Sequence, residues 1–366
     1  MNVNKLLIKI GLVGTFFIIL SGSAYAEGIN YSVKANIPEN QIDKSKSYFD
    51  LSIVPGQKQT LSLTVKNTSK IPITVNIIPT NATTNQNGVI DYSIIKKKED
   101  SSLLHPFTTL IDEGKQVKLE AEESKEIIFN ITMPEETFDG IILGGFSITE
   151  DTSTKKDGES NEGVQIKNEY SFVIGVSLKE TEQKVIPELK LNEVRPTLIN
   201  YRTAVILNLQ NVMPVITNGL KVEAEISKKG SSEILYKETK EDLSMAPNSN
   251  FDFPISLSNE ALKAGEYEAS VKASAGEENW TFKKTFRISA DESKKLNDEA
   301  VEIKKGKNNH LIMILVGFSL IVLFLFLVII ILYKKERKRK EEHTRLMAMR
   351  RKRKKQAIIK KNKKKK

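Results

Sequence analysis

The chain has 366 residues, a net charge of +10 and no cysteine, so no disulfide scaffold is available to it. Stability must come from buried apolar surface, which a folded region of this size can supply. The positive charge is not spread evenly. Residues 333–366 hold 19 Lys/Arg against three Glu, and Lys5 and Lys9 add two more positive charges. Subtracting this +16 and +2 from the whole-chain +10 leaves −8 between Glu27 and Leu332. The basic isoelectric point therefore belongs to the tail and argues nothing about a nucleic-acid surface elsewhere.

In chain order, Lys5 and Lys9 precede an apolar run from Gly11 to Leu20 and then Ala24-Tyr25-Ala26. That is the charged segment, short apolar segment and small-x-small site of a secretory signal peptide over 1–26. Export without cysteine fits a Gram-positive bacterium.

From Tyr31 to Ile288 apolar residues alternate with polar ones, as strands require. Leu61, Leu63 and Val65 form one set; Ile71, Ile73, Val75 and Ile77 form the next, followed by Ile127, Phe129 and Ile131. Further sets are Tyr170 to Leu178, Val205 to Leu209, Leu220 to Ile226, Phe251 to Leu257, Tyr267 to Ala273 and Trp280 to Ile288. Asn, Gly, Pro and Ser clusters separate them. The fold class is all-β, with too many strands for a single seven-stranded sandwich, so two tandem immunoglobulin-like β-sandwiches are expected, followed by one C-terminal transmembrane helix. The first is expected over 27–183 and the second over 184–290. The polar stretch 151–163 is either a linker between them or a long hairpin loop, the hairpin being preferred because both flanking runs alternate well.

Residues 291–309 are charged and Lys-rich, and are expected to form a stalk. The run from Leu311 to Leu332 has Ser319 as its only clearly polar side chain. At about 1.5 Å per residue its helix spans about 33 Å, enough to cross a bilayer. Transmembrane helix 310–333 is followed by a basic tail, 334–366, placed in the cytoplasm by the positive-inside rule. The tail is a solvated stop-transfer run or a polybasic segment held against anionic inner-leaflet lipids. It has no interleaved aromatic residues for stacking on bases, so nucleic acid is not an expected partner.

The chain offers little to an enzyme. His105 is the only histidine in the region expected to fold, 27–290, and no Asp-rich calcium loop occurs. No catalytic residue, metal site or cofactor is expected; His105 beside Pro106 reads as a turn residue. The segment Asn81 to Tyr92 is the candidate ligand-binding stretch. Asn81, Thr83, Thr84 and Asn85 offer amides and hydroxyls to sugar hydroxyls, and Tyr92 a ring that can stack on a pyranose face. The same residues equally describe a turn, with Asn87-Gly88 at positive φ and the threonines satisfying local backbone groups. Gly140, Gly144 and Gly145 read first as a bulge or tight corner.

The succession PENQIDKSKSYFDL (38–51), PGQ (55–57), LSLTVKN (61–67), ATTNQNGVIDY (82–92) and FDGIILGG (138–145) resembles the first ectodomain of the WxL-interacting proteins. VRPTLINYRTAVILNLQN (194–211), APNSNFDFPI (246–255) and LKAGEYEASVKA (262–273) resemble the second. The resemblance implies that the first domain binds peptidoglycan and the second contacts host or matrix ligands. It also implies a surface complex with WxL-domain proteins. Trp280 is the only tryptophan and lies in Asn-Trp-Thr-Phe, so the chain is not itself a WxL protein. The competing functional class is a membrane-anchored envelope sensor or spacer signalling through its tail.

Overall fold

The computed structural model describes residues 29–93, 98–152, 170–301, 303 and 310–363. The expected signal peptide and most of the stretch 151–163 lie outside these residues. The chain divides into two compact units, residues 1–303 and 304–366.

In the first unit, ten strands precede residue 180: β1 (Tyr31–Asn36), β2 (Phe49–Ser52), β3 (Lys58–Asn67), β4 (Ile73–Asn81), β5 (Thr83–Thr84), β6 (Ile90–Asp91), β7 (Lys115–Leu119), β8 (Ser124–Thr132), β9 (Ile142–Glu150) and β10 (Ser171–Lys179). A one-turn helix, α1 (Phe107–Leu110), lies between β6 and β7. One sheet runs β1-β3-β8 and the other β2-β10-β9-β4-β7, with β5-β6 as a separate ribbon. β10 runs antiparallel to β9 and parallel to β2.

The inward set of β3, Leu61, Leu63 and Val65, is almost fully buried against Ile77, Phe146 and Ile148 of the facing sheet. Phe146 is the hub of this core: Phe129, Phe107 and Phe49 lie 4.7, 6.2 and 6.4 Å from it, centroid to centroid. Such edge-on and tilted pairs add attraction beyond the area they bury. Gly144 is required here, because a Cβ on it would stand 2.3 Å from the Phe107 ring. Tyr31 ties the sheets together by donating its hydroxyl to the Ile148 carbonyl at 2.8 Å. Burial, with Glu150 nearby, pushes that phenol up to about 12.

The second set of strands is β11 (Leu189–Ile199), β12 (Arg202–Asn211), β13 (Thr217–Lys228), β14 (Ile234–Met245), β15 (Ser249–Ser256), β16 (Gly265–Ala275) and β17 (Glu278–Ile288). They form sheets β11-β12-β15 and β14-β13-β16-β17 around a second core that includes Leu207, Val222, Phe251, Phe253 and Val271. Pro196 and Pro254 sit in β11 and β15, the two edge strands of the smaller sheet, where a missing N–H costs no ladder bond on the open side. The fold is thus all-β in two tandem immunoglobulin-like sandwiches.

The composition predicts a stalk from residue 291, but α2 (Ala290–Glu299) is a helix docked on the second sandwich. Ser289 caps it by accepting from the Glu292 N–H at 3.1 Å. Ser293 donates to the Leu262 carbonyl at 2.8 Å, and Asn297 brackets Leu262, accepting its N–H and donating back to its carbonyl. Leu296 packs against the second core.

The described residues of the second unit form one continuous helix, α3 (His310–Lys363). Leu315–Met347 is long and apolar enough to cross a membrane. From Leu315 to Leu332 most of its large side chains, Phe318, Phe324 and Phe326 among them, are exposed, an arrangement suited to a hydrocarbon solvent. The helix runs on through the basic segment, where Glu336–Lys340 and Arg337–Glu341 pair one turn apart.

Candidate functional site

The stretch from Asn81 to Tyr92 folds into the β5-β6 ribbon, and its turn is built from local side-chain chemistry. Asn85 accepts the N–H of Asn87 at 2.9 Å and of Val89 at 3.3 Å. Gly88 takes φ +69, a conformation that L side chains rarely adopt. A Cβ there would lie 2.8 Å from Leu243 of β14. The turn is therefore also a docking surface for the second sandwich.

Thr84 carries that contact. Its buried hydroxyl pairs with the Ser249 hydroxyl at 2.7 Å and accepts the Ala246 N–H at 3.0 Å. Beside it the Ser244 N–H donates to the Gly88 carbonyl, and Ile141 donates to the Pro214 carbonyl, both at 2.7 Å. Gly140 precedes that last bond at φ +92, with a Cβ position only 2.2 Å from the Pro214 oxygen. Asp100 completes the junction. Its carboxylate accepts from Gln210 at 2.6 Å, from the Ser102 N–H and hydroxyl, and from the Asn250 amide. Burial pushes this carboxyl up, but the four donors outweigh burial and hold it below its ordinary value.

Between these contacts lies a cavity of about 310 Å³. Asn81, Thr83, Thr84 and Thr108 line it from the first sandwich, and Asn248, Ser249 and Asn250 from the second. Pro79, Ala82 and Leu103 are among its apolar lining residues, and Lys98, Glu99 and Asp100 bring its charges. Past Ile77, β4 is paired with β9 alone. Asn81 is held in place by Glu99 and Thr108, accepting the Thr108 N–H and donating to both side chains. Thr83 donates to the Asp91 carbonyl at 3.3 Å.

The structure thus brings Asn81, Thr83 and Thr84 together on one wall, while Asn85 and Tyr92 lie off it. The half-buried Tyr92 ring rests over Gly145, where a Cβ would stand 2.9 Å from it, and close to Gly175. Burial, and secondarily Tyr48, push its phenol up. Nothing in the local sequence marks Asp100 or Asn250, which meet across 150 positions. The Ala246-Pro247-Asn248 turn is visible locally, and Asn248 does take φ +48. His105 lies 5.7 Å from the Phe138 ring. Among the described residues no group of three His, Asp or Glu could hold a metal ion.

Two family models match the chain: WxL Interacting Protein, peptidoglycan binding domain, over residues 31–150, and WxL Interacting Protein, host binding domain, over 161–298. Both describe binding modules, and with the apolar helix they fit a membrane-anchored surface binding protein. The second match starts ahead of β10, although β10 is hydrogen-bonded to β9 and β2 of the first sandwich. No curated protein matches the chain. Among solved structures the chain is similar to a chaperone–tip adhesin complex of CFA/I fimbriae biogenesis, at 12% identity over 61% of this chain and 88% of that one, TM-score 0.28. It is also similar to the Salmonella enterica SafA pilin–SafB chaperone complex (12% identity, 72% and 99% covered, TM-score 0.24). The E. coli chaperone DraB is another (13% identity, 71% and 98% covered, TM-score 0.25). With both modules matched in order across most of its length, the chain belongs to the WxL-interacting protein family.

Proposed function

We propose that this protein is a non-enzymatic surface scaffold. Its first sandwich holds peptidoglycan, and its second, together with WxL-domain partners, presents a complex to host or matrix ligands. The ectodomain lies outside the membrane, α3 anchors it, and the basic end of α3 lies in the cytoplasm against anionic lipids. The boundary between modules falls between Lys179 and Leu189, after the last strand bonded to the first sandwich.

The observation that carries this reading is the fixed junction between two binding modules on one membrane-anchored chain. A load on the second module is passed to the first through Asp100, Thr84 and Gly88 rather than through a loose tether. Within Asn81 to Tyr92 the five candidate residues divide the work. Asn81 and Thr83 face the ligand; Thr84, Asn85 and Tyr92 hold the segment in shape. Individual sugar contacts contribute about 1 kcal/mol each, and a polymeric wall offers many sites to a tethered binder.

The test is sedimentation of the detergent-solubilised chain with insoluble peptidoglycan, paired with crosslinking of surface partners on intact cells. Co-sedimentation and a WxL-domain crosslink are expected. A chain that stays in the supernatant overturns the wall-binding half, and the absence of any WxL-domain crosslink overturns the other.

A further inference from the structure

We infer that the junction cavity is a saccharide subsite, shared by both modules, that takes a neutral N-acylated amino sugar. The inference rests on the wall-binding reading above and gives it a place and a sugar class. Size is the first observation. At about 310 Å³ the cavity lies at the small end of ligand sites, which run from about 300 to 1,000 Å³. It suits one sugar ring of a longer chain.

The lining is the second. Pro79, Ala82 and Leu103 give the lining apolar surface that can receive a methyl group. Around it stand polar groups with unfilled capacity. Thr108 accepts from Asn81 and keeps its own hydroxyl proton to donate. Thr83 gives its proton to Asp91 and keeps its lone pairs. Asn248 donates its amide to the Val212 carbonyl, leaving its carbonyl oxygen to accept. A secondary amide with a methyl end needs one donor, one acceptor and an apolar patch close together. An N-acetyl group has that form, and a plain hexose does not.

Charge is the third. Lys98 is outweighed by Glu99 and Asp100, so the cavity is net negative and favours a neutral sugar over an acidic one. Because Asn248 comes from the second module and Thr83 and Thr108 from the first, the sugar bridges them. Its binding then favours the clasped arrangement of the two sandwiches over any opened one.

The experiment is titration calorimetry of the full chain in detergent micelles with two probes of the same linkage: the β-1,4 trimer of N-acetylglucosamine and cellotriose. The acetylated trimer is expected to bind at least tenfold more tightly, because the second probe leaves the amide partners unpaired. Thr83→Val and Thr108→Val each remove one hydrogen bond to the sugar and are expected to weaken binding about fivefold, with the fold retained and its midpoint lowered only slightly by the one internal bond each loses. Where either valine variant loses its fold, Leu103→Ser, at a partly exposed position, takes its place and is expected to weaken binding of the acetylated trimer by removing apolar surface from its methyl group. Equal binding of the two trimers, or full affinity in the folded variants, overturns the inference. If the acetylated trimer fails to bind while the chain still sediments with peptidoglycan, this subsite falls and the wall-binding reading stands; if both fail, both fall.

Discussion

Each sandwich turns one corner on a buried asparagine, and the two corners have been put to different use. Asn67 ends β3 and Asn211 ends β12, both fully buried. Each donates its amide to the carbonyl four residues on, Ile71 or Val215, at 2.7 Å. Each accepts the N–H two residues on, from Ser69 at 2.8 Å or Met213 at 3.2 Å. In the first sandwich the corner faces solvent, and Ile71 on it is 56% exposed. In the second the same corner is a socket: the Pro214 carbonyl accepts from Ile141, and the Met213 carbonyl from Asn248. Part of the junction between modules thus rests on a corner that both sandwiches build alike, beside the contacts of the β5-β6 ribbon and Asp100.

The largest effect should come from removing the asparagines themselves. Asn67→Ala and Asn211→Ala each strand several buried backbone groups, at about 2–3 kcal/mol per corner. Calorimetry should show Asn67→Ala lowering the first sandwich alone. Asn211→Ala should destabilise the second and also release the junction, read as faster hydrogen exchange at Ile141. Unchanged exchange there would break the contrast between the corners.

Gly140→Ala comes next. It forces a side chain into positive φ and towards the Pro214 oxygen, a cost of about 1–2 kcal/mol. The expected readout is a wider separation of two fluorophores placed one on each sandwich, with both cores intact by near-ultraviolet circular dichroism.

Asp100→Asn is expected to loosen the junction by about 1 kcal/mol, since solvent around a half-exposed carboxylate screens part of its interaction. The sign follows from the lowered folded value. The carboxylate's contribution is complete above the ordinary value of 3.8 and fades as pH falls through the lower folded value. Interdomain fluorescence transfer should therefore hold steady from neutral pH to about 4 and drop below it, and this carboxylate's share of the drop should vanish in the variant. The smallest effect is expected of Asn297→Ala, about 0.5–1 kcal/mol, confined to the second sandwich and measured by its urea midpoint.

Most of the fold is legible in the period-two runs. Leu61, Leu63, Val65, Leu220, Val222, Ala224 and Ile226 all point inward as the alternation requires. Ile71 breaks the rule because it belongs to the Asn67 corner and not to β4, which begins at Ile73. Tyr170 likewise stands outside β10, exposed. The helix α2 hides behind a charged composition, yet Ser289-Ala290-Asp291-Glu292 carries the Ser-x-x-Glu spacing of a helix start, and Ser289 is its cap. At the site, the Asn85 turn follows from local chemistry, since Asn85 and Gly88 need only their own neighbours. The Thr84–Ser249 contact joins residues 165 positions apart, and such pairings leave no periodic trace.

The way the chain leaves the second sandwich has a mechanical consequence. A pull applied beyond Val301 first meets one backbone bond, Val301 N–H to the Tyr201 carbonyl, and then the Asn297 and Ser293 contacts to Leu262. Behind them β17 is laced to β16 along all eleven of its residues. Tension therefore peels the ten-residue helix α2 before it loads the sheet. Unwinding it from about 1.5 to about 3.4 Å per residue pays out about 19 Å of chain, a compliant spring in series with two stiff sandwiches.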